Sequence, residues 1–240
     1  KLLVTLVFGP DKDNLQGKGL IRTIYDPCCG TGGLLSIGKQ WVKENINPDI
    51  SIELFGQELN DQTYAVCKSD HLISGENPEN IHGPHSTLTK DQLKENKFDY
   101  IIANPPYGTK WNSEQEQINR EFEEGDSIFK GGLPRVSDAS FLFIQLMVSK
   151  MNENSRVGII LNASPLSTGS YNSSENKIRE WLFQQDLVES IIQLPNSLFY
   201  NTPLKTYIWI LNKNKNSERK NKLQLIDASE NYEKIIKNLN

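Results

Sequence analysis

Residues 21–33 read IRTIYDPCCGTGG. The first six, Ile21 to Asp26, are apolar and β-rich, and the run stops at Asp26-Pro27, a turn signal. Gly30, Gly32 and Gly33 follow. Glycines there let the backbone turn sharply and pass close to a ligand. A helix starting at Gly32 would leave its first N–H groups free to face that ligand. Strand, Gly-rich turn and helix make the opening of a βαβ unit. The structural alternative is a tight βα turn that holds nothing.

The same alternation recurs downstream. IELFGQ (52–57), FDYIIA (98–103), RVGIIL (156–161), LVESIIQL (187–194), TYIWIL (206–211) and LQLID (223–227) read as strands. Helical stretches lie between them: Gly32 to Asn45, Asp61 to Ile73, Asp138 to Met151 and Glu175 to Gln185. The third of these is apolar almost throughout and is expected to be buried. Strands alternating with helices of about 10–15 residues indicate an α/β fold with a mostly parallel sheet. The last strands follow one another without long helices, which predicts an antiparallel hairpin at one edge. In such sheets ligands sit at the carboxyl ends of the strands.

Composition sets the bounds. The chain has 240 residues, 37% apolar and 23% charged, so it can bury a sizeable core. No apolar run approaches the roughly 18–20 residues of a membrane helix. No signal peptide is legible, and three cysteines, two of them adjacent, make no disulfide framework. The expected compartment is the cytoplasm. The net charge of −4 argues against tight unaided nucleic-acid binding, yet leaves room for a local basic face or a partner that supplies phosphate contacts.

Two nucleotide fingerprints fail on the first loop. A dinucleotide motif needs a third glycine where Leu35 stands. A P-loop needs Ser or Thr after Lys39, where Gln40 stands. An acid at the strand end followed by Gly-Thr-Gly-Gly instead resembles the S-adenosylmethionine loop of Rossmann-like methyltransferases. The second strand leads into Glu58. A carboxylate there can accept hydrogen bonds from both hydroxyls of a ribose. Its structural alternative is an acid favoured by a helix N-terminus.

The third strand leads into Asn104-Pro105-Pro106-Tyr107. Two prolines cannot continue a ladder and hold a stiff turn. The Asn104 amide oxygen and the Pro105 carbonyl can then face outward as two acceptors, with the Tyr107 ring beside them. Such a set suits an amino group on a planar base: the ring stacks and the acceptors take the two amino hydrogens. A plain Asn-Pro turn is the structural alternative. The pair of motifs resembles the S-adenosylmethionine-dependent amino-methyltransferases. LFGQELNDQTY, KFDYIIANPPYG, LPRVSDASFLF, KIREWL and IIQLPNSLFYNTPLKTYIWILNK narrow the likeness to the methylation (M) subunit of type I restriction-modification systems, from about Leu20 to Lys213.

That resemblance implies a Rossmann-like methyltransferase with a seven-stranded sheet, transferring methyl to N6 of a flipped-out adenine in double-stranded DNA. Asp26, Pro27, Gly30, Thr31, Gly32 and Gly33 would surround the methionine part of S-adenosyl-L-methionine, and Glu58 its ribose. Asn104, Pro105, Pro106 and Tyr107 would be catalytic, with Phe199 or Tyr200 as a second wall of the base pocket. Partners would be a specificity (S) subunit and a restriction (R) subunit. The whole of residues 1–240 is expected to form one catalytic domain, without the family's N- and C-terminal helical regions. The residue that meets the cofactor adenine is left between His85 and Ser86, with Asp70 a third option on the preceding helix. Asn-Pro-Pro-Tyr also serves enzymes that methylate a protein glutamine amide, which is the alternative substrate. Cys67 and His71, one helical turn apart, lack further ligands at metal spacing, so no metal is expected. Lys110, Trp111 and Arg120 could face phosphate or base, or simply solvent.

Overall fold

A computed structural model of the chain describes residues 1–196, 198 and 204–233. Helix α1 (Leu2–Phe8) and a 3-10 turn (Gly9–Leu15) lead into β1 (Ile21–Asp26). Then follow α2 (Gly33–Asn45), β2 (Ser51–Gln57), α3 (Asp61–Ile73), β3 (Ile81–His82) and β4 (Phe98–Ala103). The second half runs α4 (Gln115–Glu123), α5 (Ser140–Ser149), β5 (Met151–Asn162), α6 (Ser164–Ser167), α7 (Ser174–Gln184), β6 (Val188–Gln193), β7 (Thr206–Asn212) and β8 (Gln224–Asp227).

The strands form one sheet in the order β3-β2-β1-β4-β5-β7-β6-β8. Every pairing is parallel except those of β7, which runs antiparallel between β5 and β6. The hairpin expected from the closely spaced last strands stands at this end of the sheet, with β8 added beyond it. The seven strands legible in the sequence are joined by β3, whose two residues are too few to carry a period. From β1 the sheet grows one way through β2 and β3, and the other way through β4 and β5. The order therefore reverses between β1 and β4, and a crevice opens there at their carboxyl ends.

Local chemistry sets the boundaries. Asn60 caps α3 by accepting the Thr63 N–H, and Ser173 caps α7 by accepting the Asn176 N–H. Strand β4 stops at Ala103 because Pro105 and Pro106 have no N–H for the ladder. Two apolar layers cover the sheet. One joins α1, α2 and the inward residues of β1 and β2; the other packs α5 and α7 on Ile101, Val157 and Trp209. Helix α5 is buried nearly all round because a third cluster, Leu88, Trp111, Ile118 and Phe129, lies on its outer side.

Helix α1 was not anticipated. Its Leu3, Val4, Val7 and Phe8 are buried in the first layer. They come close because β5 offers Gly158: a Cβ there would strike Val7 and lie 2.7 Å from Leu3 Cδ1. Beside it, Arg156 donates to the Val7 carbonyl at 3.0 Å and makes a two-pronged pair with Glu189 on β6 at 3.0 and 3.2 Å. Gly158→Ala should therefore destabilise the fold by about 1–3 kcal/mol, the usual range for overpacking a tight core. Urea unfolding is the measurement; an unchanged midpoint would mean that α1 does not dock on β5.

Candidate active site

The first loop is wired by its own backbone. Cys29 N–H donates to the Gln57 carbonyl at 3.1 Å and Gly32 N–H to the Cys29 carbonyl at 2.8 Å. Gly30 N–H donates to Glu58 Oε2 at 2.9 Å. Gly30 and Gly32 have φ of +56° and +82°, values glycine tolerates without strain. At Gly32 the close approach matters as well: a Cβ would sit 2.9 Å from Cys67 Sγ and 3.0 Å from His71 Cε1. At Gly30 and Gly33 a Cβ would meet nothing within 4 Å, so that side of the loop is open. Thr31 is exposed beside them and Pro27 is buried beneath.

Glu58 is shared between two backbones. Besides Gly30, its Oε1 takes the Asn60 N–H at 2.7 Å. Asp26 ends β1 almost fully buried, 2% exposed. Its Oδ1 accepts the Cys28 N–H at 3.0 Å. Burial pushes its carboxyl from the ordinary 3.8 up to about 7; the Cys28 hydrogen bonds only partly offset this, and nearby Glu58 adds to it. A buried carboxylate with no cation beside it is a costly arrangement, and one a positively charged ligand relieves.

A cavity of about 310 Å³ opens in front of these groups. It is reached by the segments after β1, β2, β3 and β4, through Gly30, Glu58, Thr87 and Pro106, and is closed by Trp111 and Phe143. Ser86 lines it and His85 does not; the His85 ring instead meets Lys90 Nζ at 2.9 Å. Asp70 is exposed on α3 and also takes no part in the lining. The loop carrying Ser86 is held by Gln57, fully buried at the end of β2. Its Nε2 donates to the His85 and Lys90 carbonyls at 3.2 and 2.8 Å, and its Oε1 accepts the Gln92 N–H at 3.0 Å. Thr87 Oγ1 donates to the Pro27 carbonyl at 2.5 Å, tying this loop to the first. Neither Gln57 nor Thr87 was singled out from sequence; a buried glutamine closing an apolar strand was the available signal.

Asn104 is exposed and Pro105 buried. The Tyr107 hydroxyl donates to Asn104 Oδ1 at 2.9 Å. Burial raises its phenol to about 12, so it stays a donor at neutral pH. An amide oxygen has a second lone pair, which remains for another donor. Trp111, one of the residues expected to face base, phosphate or solvent, is buried core at 2% exposure. Its indole Nε1 donates to the Arg135 carbonyl at 3.0 Å. Its burial comes from residues 135–139 folding back over it, a contact its polar sequence neighbours do not announce. Phe199 and Tyr200 lie outside the described residues.

Behind the first loop Cys29 and Cys67 are free thiols with sulfurs 3.9 Å apart, and Cys67 Sγ is 3.8 Å from His71 Nδ1. His71 Nδ1 also sits 3.0 Å from the Cys67 carbonyl of its own helix. No group of three or more metal-binding side chains is present among the described residues. A second cavity, about 360 Å³, lies at the opposite end of the strands. Its charged groups are already engaged: Asp11 by Tyr100, Arg156 by Glu189, Arg22 by the Ile21 and Asn14 carbonyls and Asp99 by Thr23 and Asn152. No helix among the described residues is long and apolar enough to cross a membrane.

The family model described as N-6 DNA Methylase matches residues 2–240. A type I restriction enzyme methylase subunit of Methanocaldococcus jannaschii, MjaVII, is 35% identical over 222 residues, 88% of this chain and 36% of that protein. The HindI methylase subunit of Haemophilus influenzae is 29% identical over 207 residues, 85% of this chain and 44% of that protein. Among solved structures, the type I restriction-modification methyltransferase subunit of Streptococcus thermophilus superposes with a TM-score of 0.79 at 27% identity, over 98% of this chain and 47% of that one. The chain thus spans less than half the length of each of these three, from 36% to 47%.

The titration of Asp26 gives a test of the site in cofactor-free protein. The folded state holds its proton up to about pH 7 and the unfolded chain loses it near 3.8. Stability from this group is therefore lost as pH rises from about 4 through 7. Asp26→Asn should be more stable than wild type above pH 7, by up to about 4 kcal/mol at 1.36 kcal/mol per pH unit. The difference should close toward pH 4. Denaturation curves across that range measure it; a constant difference would place the ionised carboxylate in a solvated setting.

Proposed function

The chain belongs to the N-6 DNA methylase family, and on that premise we propose that it carries the catalytic domain for methyl transfer to N6 of adenine in double-stranded DNA. We place it in the modification subunit of a type I restriction-modification complex, beside a specificity and a restriction subunit. The observation that supports this reading best is the cavity itself. It runs from the first glycine loop and Glu58 to Pro106, so a cofactor seated there would end at the turn that carries Asn104.

The residues fit S-adenosyl-L-methionine. Buried Asp26 favours a cation, and this cofactor carries an ammonium and a sulfonium. Gly30 and Gly33 leave room for its methionine part, with Thr31 and Gly32 shaping the same turn over Pro27. Glu58 is aimed at the position of a ribose. Its two oxygens already accept backbone N–H groups, and their remaining lone pairs are free for hydroxyls. Ser86 takes the adenine end. When bound, the cofactor supplies an electrophilic methyl group.

The chain's own part is positioning. N6 lies inside the duplex stack, so the adenine must be flipped out to reach this loop. Asn104 Oδ1 and the Pro105 carbonyl would accept the two N6 hydrogens. That draws the nitrogen toward tetrahedral geometry and frees its lone pair from the ring. Tyr107 fixes the Asn104 amide through its hydroxyl and adds its ring to the base contact. Pro105 and Pro106 keep the turn rigid. No strong general base is needed, because the chain's part is to align the nitrogen lone pair, and the effect of orientation is large.

Asn104→Ala should abolish transfer of labelled methyl from cofactor to unmethylated duplex in the complete complex, a drop of about 10³-fold or more. Cofactor affinity should stay within about twofold. Glu58→Ala should do the reverse, weakening the cofactor by about 10–100-fold, the cost of losing a charged hydrogen-bonding partner. Isothermal titration and filter counting read the two. Loss of cofactor binding in Asn104→Ala would break this division of roles. Label appearing in protein glutamine rather than DNA would move the substrate to the alternative class.

A further inference from the structure

Arg135 lies in the connection after β4, where it meets the connection after β5. Its backbone serves both. The N–H donates to Glu175 Oε1 at 3.1 Å, and the carbonyl accepts Trp111 Nε1 at 3.0 Å. Adjacent bonds continue the seam, from Trp111 N–H to the Val136 carbonyl at 3.0 Å and from Ala139 N–H to the Thr109 carbonyl at 2.9 Å. Residues 135–139 are thus bound directly to the segment that follows Asn104–Tyr107. The side chain reaches the start of the connection after β5. Nη2 lies 3.2 Å from Ser164 Oγ and 3.4 Å from Thr168 Oγ1. That loop is itself clamped by Arg179, which donates to the Pro165 and Thr168 carbonyls at 3.0 and 2.8 Å.

The result is an exposed guanidinium oriented by two neutral hydroxyls. No carboxylate lies within ion-pair distance of it among the described residues. Glu175, whose Oε1 takes the backbone N–H, attracts the guanidinium without forming a close ion pair. Arg156, by contrast, is neutralised by Glu189, and Arg179 is turned onto carbonyls. An exposed guanidinium whose direction is set by hydroxyls presents its remaining N–H groups to a planar pair of anionic oxygens. The neighbouring strands β4 and β5 run parallel, so this group stands at the same end of the sheet as the Asn104 loop.

We infer that Arg135 holds a backbone phosphate of the DNA strand that presents the adenine, and so positions that strand for entry at Asn104. The inference rests on the proposed adenine-methylating function and names a contact that function leaves open. Arg135 is a positioning residue. Its side chain is dispensable for the fold, because the backbone bonds to Glu175 and Trp111 remain without it and Arg179 still clamps the segment after β5.

The test is steady-state methylation of duplex DNA by the complete complex over a range of salt, with wild type, Arg135→Ala, Arg135→Gln and Arg135→Lys. Each phosphate contact contributes about 0.9 to the slope of log affinity against log salt. Arg135→Ala and Arg135→Gln should each flatten that slope by about one contact and raise the DNA KM about tenfold near 0.15 M salt. The cofactor Kd should be unchanged, and kcat at saturating DNA should fall less than KM rises. Arg135→Lys keeps the charge and should keep the slope, with a KM between the two. An unchanged slope and KM in both uncharged variants would overturn the assignment while leaving adenine methylation standing. So would a joint loss of melting temperature and cofactor affinity in both, which marks a structural role. A wild-type complex that transfers no methyl to DNA would overturn the proposed function itself, and this contact with it.

Discussion

Glu58 is the fixed point of the carboxyl edge. Both of its oxygens are taken by backbone N–H groups, Gly30 from the first loop at 2.9 Å and Asn60 from the start of α3 at 2.7 Å. A charged acceptor of two backbone donors is held far more firmly than an exposed side chain. The consequence is that the glycine loop after β1 has one shape, although its residues alone would allow many. Its back is packed as tightly: Gly32 touches Cys67 and His71, and Gly56 leaves space for Cys29, whose Sγ would lie 2.8 Å from a Cβ there. The open face at Gly30 and Gly33 exists because the other face is full.

Rigidity then spreads from loop to loop. Gln57, the residue before Glu58, fastens the segment 85–92 by three hydrogen bonds, and Thr87 returns from it to Pro27. Trp111 and Ala139 fasten the long connection after β4. Each bond joins residues far apart in sequence, so the cavity forms only when the whole sheet edge is in place. Local order of this kind is what lets a site act by orientation instead of by strong acid–base groups.

Much of this was legible where the chain has no alternative. Asp61–Ile73 is read correctly to the residue because Asn60 caps it and Thr63 answers. The ends of β1 and β4 are announced by Pro27 and by Pro105-Pro106, which cannot extend a ladder. The βα alternation predicts a mostly parallel sheet with its ligand loops at the carboxyl ends, and the observed strand order brings Asp26, Glu58 and Asn104 to that edge. What stayed hidden depends on distant partners. Helix α4 (QEQINREFE) buries only Ile118 and so shows no stripe. Trp111 sits between Lys110 and Asn112, yet is core because 135–139 fold over it. The choice of Ser86 over His85 at the cavity turns on the path of a loop that Gln57 sets from another strand.

The electrostatics of the edge impose a final constraint. Asp26 and Glu58 suit a cationic cofactor, and for that reason they repel a phosphodiester that approaches the same crevice. Screening at physiological salt acts over about 8 Å and is weakest where groups are buried, as Asp26 is. A polyanion can therefore be drawn in only if positive charge is placed away from the cofactor loop and nearer the acceptor turn. This chain carries 26 Lys and Arg against 30 Asp and Glu. Its buried cations are neutralised in place: Lys150 by Asp91, Arg156 by Glu189 and Lys215 by Asp186. Arg135 differs in being exposed and held by the Ser164 and Thr168 hydroxyls. On the proposed reading, one such guanidinium can set the register of a strand but cannot hold a duplex. Most of the phosphate binding must then come from outside these residues, which fits a catalytic domain that works within a larger assembly.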